Sequence, residues 1–172
     1  MRFCLALLFL VLSLTPTRAD VVDTAFSRAI DQFETAQPHL PAELFGVDVS
    51  AYRDALTLRQ FSSSYWGGTI ALRVENGSTE NASCARFAAF VRLPPSNGHV
   101  SLILCPQFRT EGADALRRLT VLHELVHVVA GPDECRAMAF AAQIEYLASG
   151  AFTNVDRYWQ ANDCDSSGFG LP

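Results

Sequence analysis

Two apolar helical stretches that meet at Gly131-Pro132 constrain the fold of this 172-residue chain more than any other feature. The first, ADALRRLTVLHELVHVVA, predicts a helix over 113–130, because it holds no helix-breaking residue before the glycine. The second, ECRAMAFAAQIEYLAS, predicts another helix over 134–149. The first stretch is apolar apart from a few ionisable residues, which is typical of a helix that is largely buried.

The capping residues of the second helix and the other elements follow from local patterns. Asp133 is suited to cap that helix and Gly150 to end it. Upstream, we predict a helix over 23–36 and another over 50–62, with Ser50 as its N-cap. Three strands and one short helix complete the prediction, at 69–74, 84–95, 97–105 and near 154–163. We expect a small antiparallel sheet between helices, an α+β fold.

The first nineteen residues have the pattern of a secretory signal peptide. Arg2 precedes an apolar run over 3–14, and Thr17-Arg18-Ala19 offers small residues at a cleavage site before Asp20. A membrane anchor is the alternative, but the apolar run is short for a membrane crossing. We therefore expect one domain over 20–172, secreted or periplasmic after cleavage near Ala19.

Charge and cysteine content describe the expected mature chain. Removing Arg2 and Arg18 changes the formal net charge from -5 to -7, with eleven arginines against eighteen carboxylates. This acidity disfavours nucleic acid and anionic membranes as partners. Four cysteines remain, which suggests two disulfides with three possible pairings. We favour Cys84–Cys105 with Cys135–Cys164, because each pair joins neighbours within one half of the chain.

His123-Glu124-Leu125-Val126-His127 is the motif that carries chemistry. On a helix, residues four apart are about 40° apart around the axis, so both imidazoles face one point and supply two zinc ligands. Glu124 lies beside that face, where its carboxylate can act as general base on a zinc-activated water. A structural histidine pair in a buried helix is the competing interpretation, but three ionisable residues are costly to bury without a shared partner.

A catalytic zinc usually has a third protein ligand and one open position. Glu134 is our first candidate, because it begins the next helix just after the break. Asp133 is second, since its position suits a helix cap. Glu145 is third, about 16 Å further along the helix axis.

The segment from His123 to Gly131 resembles the zincin superfamily of metallopeptidases. SLILCPQF and LTVLHELVHVVAGPDE are more locally similar to the deuterolysin-like branch, the aspzincins, whose later Gly-Thr-x-Asp-x-x-Tyr-Gly segment supplies an aspartate ligand. On that pattern Glu134 falls on the aspartate, whereas Ala137 and Met138 replace its tyrosine and final glycine. ECRAMAFAA is also similar to the Glu-x-x-Ala-x-x-Phe-Ala-Ala stretch of ImmA/IrrE-type metallopeptidases, whose glutamate is the third ligand. Both resemblances imply His123, His127 and Glu134 as ligands of one Zn²⁺ and a zincin-like fold.

These inferences predict a secreted zinc metallopeptidase that acts on a peptide or protein substrate. In zincins the substrate commonly lies along an edge strand beside the active helix, and HVSLILC, 99–105, is the candidate strand. The alternatives are a catalytically inactive secreted binding protein that retains the frame, with structural or no metal, and a toxin that cuts one partner. Three tyrosines are candidates to bind the oxyanion: Tyr65, Tyr146 and Tyr158. His39 and His99 are expected in a loop and on a strand surface.

Overall fold

The computed structural model describes residues 20–172, so the predicted signal segment and its cleavage site after Ala19 lie outside the described residues. The helices are α1 (Val21–Ala36), α2 (Val49–Leu58), α3 (Asp114–Ala130), α4 (Glu134–Ser149) and α5 (Asp156–Ala161). The strands are β1 (Glu43–Leu44), β2 (Val47–Asp48), β3 (Gln60–Ser62), β4 (Thr69–Asn76), β5 (Ala89–Ser96) and β6 (His99–Leu104). The predicted α+β fold class is confirmed.

The main sheet has the strand order β3-β4-β6-β5 and is mixed. β5 and β6 form an antiparallel hairpin, whereas β4 runs parallel to β6 with Leu72 opposite Val100. The predicted all-antiparallel sheet is therefore wrong, because β6 inserts between β4 and β5. The strand predicted over 84–95 begins later, at Ala89, since 84–87 form a turn. β5 lies at the edge, and Pro94 and Pro95 fall between Arg92 and Ser96, where its pairing with β6 is irregular.

Two details of the predicted second helix are wrong. The N-cap is Asp48, whose carboxylate accepts hydrogen bonds from the backbone N–H groups of Ser50 and Ala51, at 2.9 and 3.0 Å. A carboxylate at that position satisfies two N–H groups that the helix leaves unpaired. The helix also ends at Leu58, because Arg59 adopts a left-handed conformation and the chain continues as β3.

Helix α3 lies in the centre of the protein, as its apolar sequence requires. It packs against α1, α2, α4 and β5, and the residues from Val121 to Ala130 are all buried. Tyr52 of α2 is fully buried beside it and donates its hydroxyl to the Leu122 carbonyl at 2.8 Å. Burial of a hydroxyl without such a partner would be unfavourable, so this bond fixes the two helices against each other.

The C-terminal end of α3 is held by side chains from elsewhere. The Val128 carbonyl would normally accept from the residue four positions on, but Pro132 has no N–H to donate. The indole N–H of Trp66 donates to that carbonyl instead, at 2.8 Å. Arg136 of α4 donates to the Ala130 carbonyl at 2.7 Å. The last turn of α3 and the start of α4 are therefore fixed in relation to each other.

Both favoured disulfides are present, Cys84–Cys105 and Cys135–Cys164. Two disulfides are compatible with an extracellular protein, because reducing compartments disfavour them. None of the helices within residues 20–172 combines the length and the hydropathy that crossing a membrane requires.

Candidate functional site

Helix α3 presents the three ionisable residues of the motif in its buried middle. His123, Glu124 and His127 are 6%, 8% and 5% exposed. The Nε2 atoms of the two histidines lie 3.0 Å apart, as their spacing of one helical turn predicts. Two imidazoles therefore aim at one point at the surface of the helix.

Glu134, the first residue of α4, meets the histidines at that point. Its Oε2 lies 3.1 Å from Nε2 of His123 and 3.2 Å from Nε2 of His127. The turn at Gly131-Pro132 makes this possible, because it folds α4 back toward α3 within three residues. His123, His127 and Glu134 together form a group that could hold a metal ion.

The spacing of these three atoms fits a small tetrahedral cation. Zinc bonds of about 2.0–2.1 Å place tetrahedral ligand atoms about 3.3 Å from one another. The three measured separations of 3.0, 3.1 and 3.2 Å are close to that value. Two nitrogens and one carboxylate oxygen are also a ligand set that zinc accepts.

The tautomer of His127 is set by the backbone. Its Nδ1 lies 2.9 Å from the Gly131 carbonyl oxygen, which can only accept, so the proton is on Nδ1. The lone pair of Nε2 then points toward Glu134 and is free to bind a cation. The other histidine differs, because the buried Nδ1 of His123 has no hydrogen-bond partner within residues 20–172. His123 is therefore oriented by packing and by the contacts of its Nε2 with Glu134 and Tyr158, without a partner at Nδ1.

Gly131 owes its role to a backbone conformation that favours glycine. Its φ is 88° and its ψ is -170°, a region that is strained for residues with a side chain. This conformation turns its carbonyl toward His127. A Cβ at this position would lie 2.6 Å from Cζ of Tyr65, so the ring of Tyr65 also excludes a side chain here.

Tyr158 of α5 completes the group. Its hydroxyl donates a hydrogen bond to Oε2 of Glu134 and lies 3.3 Å from Nε2 of His123. Burial and the Glu134 carboxylate raise the pKa of the Tyr158 phenol above its ordinary value, so the hydroxyl keeps its proton as a donor. Of the three candidate tyrosines, Tyr158 is the one whose hydroxyl contacts His123 and Glu134.

The electrostatics of the group favour a positive charge at its centre. Partial burial opposes ionisation of Glu134, but hydrogen bonds with His123, His127 and Tyr158 hold its pKa far below the ordinary value. Burial alone would lower the pKa of His127, yet the bond to Glu134 and the nearby Glu124 outweigh it and raise that pKa. Both shifts indicate that a cation is stabilised here, whether a proton or a metal ion carries the charge.

Glu124 lies next to this point without belonging to it. Burial raises the pKa of its carboxyl above the ordinary value, against the opposing effect of the two neighbouring imidazoles. The carboxylate forms no hydrogen bond within residues 20–172 and lines the cavity in front of the histidines. A basic carboxylate that faces a cavity is available to exchange protons with a molecule bound there.

The other sequence candidates lie elsewhere. Asp133 caps α4 through the backbone N–H of Arg136. Glu145 is 1% exposed and binds Arg118 at 3.2 Å and the backbone N–H of Thr153 at 2.8 Å, so it has a structural role. Four further residues also lie outside the group: Tyr65 at the back of Gly131, exposed Tyr146, exposed His39, and His99 bound to the Asn97 carbonyl.

A cavity of about 460 Å³ opens in front of the group. Its walls are β5 with the preceding turn on one side, α3 behind, and the start of α4 and α5 on the other side. The interior strand β6 does not reach it, so the prediction that 99–105 is an edge strand at the site is wrong. The edge strand beside α3 is β5, because β6 pairs on both sides.

The disulfide Cys135–Cys164 connects the segment after α5 to the residue that follows Glu134. It closes a loop that contains Tyr158 and begins directly after Glu134, with a sequence separation of 29 residues. The pairing was predictable, but its consequence for Tyr158 was not. Trp66, Arg136 and Arg157 were also not identified from the sequence as residues of functional interest. Only Pro132 gave a signal that donors from outside α3 were needed, because it leaves the Val128 carbonyl without its usual donor.

Comparisons with protein-family models, with curated proteins and with solved structures returned no match for this chain.

Proposed function

We propose that this chain is an exported zinc-dependent metallopeptidase of the zincin type. The observation that carries the proposal is the convergence of His123, His127 and Glu134 at 3.0–3.2 Å, beside a buried glutamate that opens onto a cavity. A purely structural metal site does not require Glu124, an additional carboxylate that is not a ligand and faces the cavity. When bound, zinc would supply a Lewis acid for the carbonyl group and for the attacking water.

Glu124 performs the proton transfers in this proposal. Its carboxylate takes a proton from a water in the cavity as the water oxygen attacks the carbonyl carbon of the substrate. The C–N bond then breaks, and Glu124 passes the proton to the leaving amine nitrogen. The raised pKa of Glu124 favours the first step, because a more basic carboxylate accepts the proton more readily.

Tyr158 and the Gly131 carbonyl act on the ligands. The carbonyl holds His127 in the tautomer that binds a cation through Nε2. The hydroxyl of Tyr158 holds Oε2 of Glu134 in place. The hydroxyl has one proton, so it can donate to a substrate oxygen that develops negative charge only by releasing Oε2 of Glu134. Because Tyr158 lines the cavity and Tyr65 and Tyr146 do not, it is the oxyanion candidate.

The substrate is a peptide that lies along β5 in this proposal. An edge strand offers unpaired backbone groups to an extended chain, and β5 forms one wall of the cavity. Export agrees with the two disulfides, and the signal segment predicted at 1–19 would direct it.

The test is peptide hydrolysis by residues 20–172 loaded with zinc, with Glu124→Gln and Glu80→Gln measured beside the parent. We expect Glu124→Gln to bind zinc as the parent does and to lose about 10²–10⁴-fold in hydrolysis, the usual contribution of a general acid–base. Glu80 is exposed in a turn and does not line the cavity, so its variant controls for the loss of one charge. Equal hydrolysis by Glu124→Gln and the parent would contradict the proposal. Zinc binding without hydrolysis of any peptide would favour the inactive binding protein instead.

A further inference from the structure

The cavity has an apolar half that the proposed chemistry does not use. The larger apolar side chains that line it include Phe87, Val91, Leu93, Leu116, Leu119 and Val155. Leu116 and Phe87 are 57% and 46% exposed, which is high for large apolar residues. Exposed apolar side chains that border one cavity indicate that its ligand brings an apolar group.

The opposite wall carries a positive charge. Arg157 lines the cavity from α5, directly before Tyr158 in sequence. Most other arginines are already engaged with carboxylates, namely Arg28, Arg53, Arg92, Arg109, Arg117 and Arg118. Arg157 forms no such pair within residues 20–172, and its side chain is exposed. Its guanidinium is therefore free to bind a ligand.

The position of Arg157 is fixed by its neighbours. Trp159 is buried and donates its indole N–H to Asp165 at 2.8 Å. The disulfide from Cys164 ties the same segment to α4. An arginine on a segment held in this way loses less freedom on binding than one on a free loop, so it can contribute to specificity.

We infer that Arg157 is a specificity-determining residue that binds a carboxylate of the substrate, while an apolar side chain of the substrate occupies the apolar half of the cavity. This inference rests on the proposed function. Guanidinium groups bind carboxylates through two parallel hydrogen bonds, which gives both strength and orientation. The expected mature form carries a net charge of -7, which disfavours anions at long range, and Arg157 supplies a local positive charge at the cavity.

The carboxylate has two possible sources, the C-terminal α-carboxylate of a peptide or the side chain of Asp or Glu. Four peptides that share one apolar residue separate these sources. They combine a Glu or Gln side chain with a free or amidated C terminus. Binding is measured by titration calorimetry with the zinc-loaded Glu124→Gln protein, which does not consume the peptide. Hydrolysis of the same peptides by the parent is measured separately.

The matched variants are Arg157→Ala, Arg157→Lys and Arg73→Ala, each in the Glu124→Gln background. Arg73 is exposed on β4, outside the cavity, and controls for loss of charge. We expect one carboxylate to strengthen binding by about ten- to a hundredfold, the range for a hydrogen bond to a charged group. That preference should disappear in Arg157→Ala, return in part in Arg157→Lys, and persist in Arg73→Ala.

The source that gives the preference identifies the substrate class, and either source supports the inference. Equal binding of all four peptides, or a preference that Arg157→Ala retains, would overturn it. The binding measurement does not depend on turnover. A failure of hydrolysis alone would therefore count against the proposed function, while the calorimetry would still test the role of Arg157.

Discussion

Gly131→Ala perturbs the site without removing a ligand side chain, and Gly150→Ala provides a matched control. Both glycines follow a buried helix and both have positive φ, 88° and 75°. They differ in two respects. Gly150 has ψ of 6°, in the left-handed helical region, and no atom within 4 Å of an added Cβ. Gly131 has ψ of -170° and Tyr65 in contact.

The expected magnitudes follow from these conformations. An alanine in the left-handed region costs about 1–2 kcal/mol, so we expect Gly150→Ala to lower the free energy of unfolding by that amount. The conformation of Gly131 is accessible essentially to glycine alone and costs about 1–3 kcal/mol when another residue adopts it. The half-exposed Tyr65 ring can move away from the new Cβ, but it then loses its edge contact with Trp66, where the ring centroids are 4.6 Å apart. That loss adds about 1 kcal/mol, so we expect about 2–4 kcal/mol in total for Gly131→Ala.

Metal affinity should separate the two variants further. Any shift of the Gly131 carbonyl weakens its bond to Nδ1 of His127, and loss of such a partner typically lowers metal affinity about 10–100-fold. Gly150 makes no contact with the ligands, so its variant should bind zinc as the parent does. The assays are denaturant unfolding and competitive zinc titration with a chromophoric chelator. Equal zinc affinities for the two variants would refute the role assigned to the Gly131 backbone. In a Tyr65→Ala background, where no ring has to move, Gly131→Ala should cost only the backbone part, about 1–3 kcal/mol.

Three further predictions concern other residues. Asp48→Ala should lower the free energy of unfolding by about 1 kcal/mol at pH 7, and Ser50→Ala by much less. Hydrogen bonds from the Ala51 and Ser50 backbone keep the pKa of Asp48 in the folded protein below its ordinary value. The stabilising effect of Asp48 is therefore complete above about pH 4 and is lost as the pH falls through its pKa in the folded protein. The difference in urea unfolding free energy between the parent and Asp48→Ala should shrink over the same pH range. Cys164→Ser should cost about 3–4 kcal/mol from loop entropy and should weaken zinc binding, and an unchanged zinc affinity would disprove the positioning role of this disulfide. Tyr158→Phe removes the hydrogen-bond donor to Glu134 and should weaken zinc binding about tenfold without changing the far-ultraviolet circular dichroism. An unchanged zinc affinity would show that the hydroxyl does not orient Glu134.

The local part of the structure was predictable from the sequence. The bounds of α3 and α4 follow from the apolar run, the Gly131-Pro132 break and the Asp133 cap, all of which act within one or two helical turns. The same locality made Glu134 the best third candidate, because a tight turn brings the first residue of α4 back to α3. Asp48 was missed as a cap because Ser50, two residues on, has an equally suitable side chain.

The sheet was not predictable, because strand order depends on contacts between distant residues. Alternating apolar residues identified β4, β5 and β6, but nothing in their patterns indicates that β6 lies between the other two. The error carried over to the site, since the edge strand beside α3 is β5 instead of β6. Tyr158 illustrates the same limit: three tyrosines were equivalent in sequence, and only the docking of α5 brings one of them to Glu134.

The metal content of the purified protein, residues 20–172, tests the central claim most directly. The parent would be measured by elemental analysis beside His123→Ala and Glu134→Ala, with Glu145→Gln as a variant of a glutamate outside the group. We predict about one zinc per chain in the parent and in Glu145→Gln, and loss of zinc in both ligand variants. A well-folded parent without zinc, or ligand variants that retain it, would contradict the account.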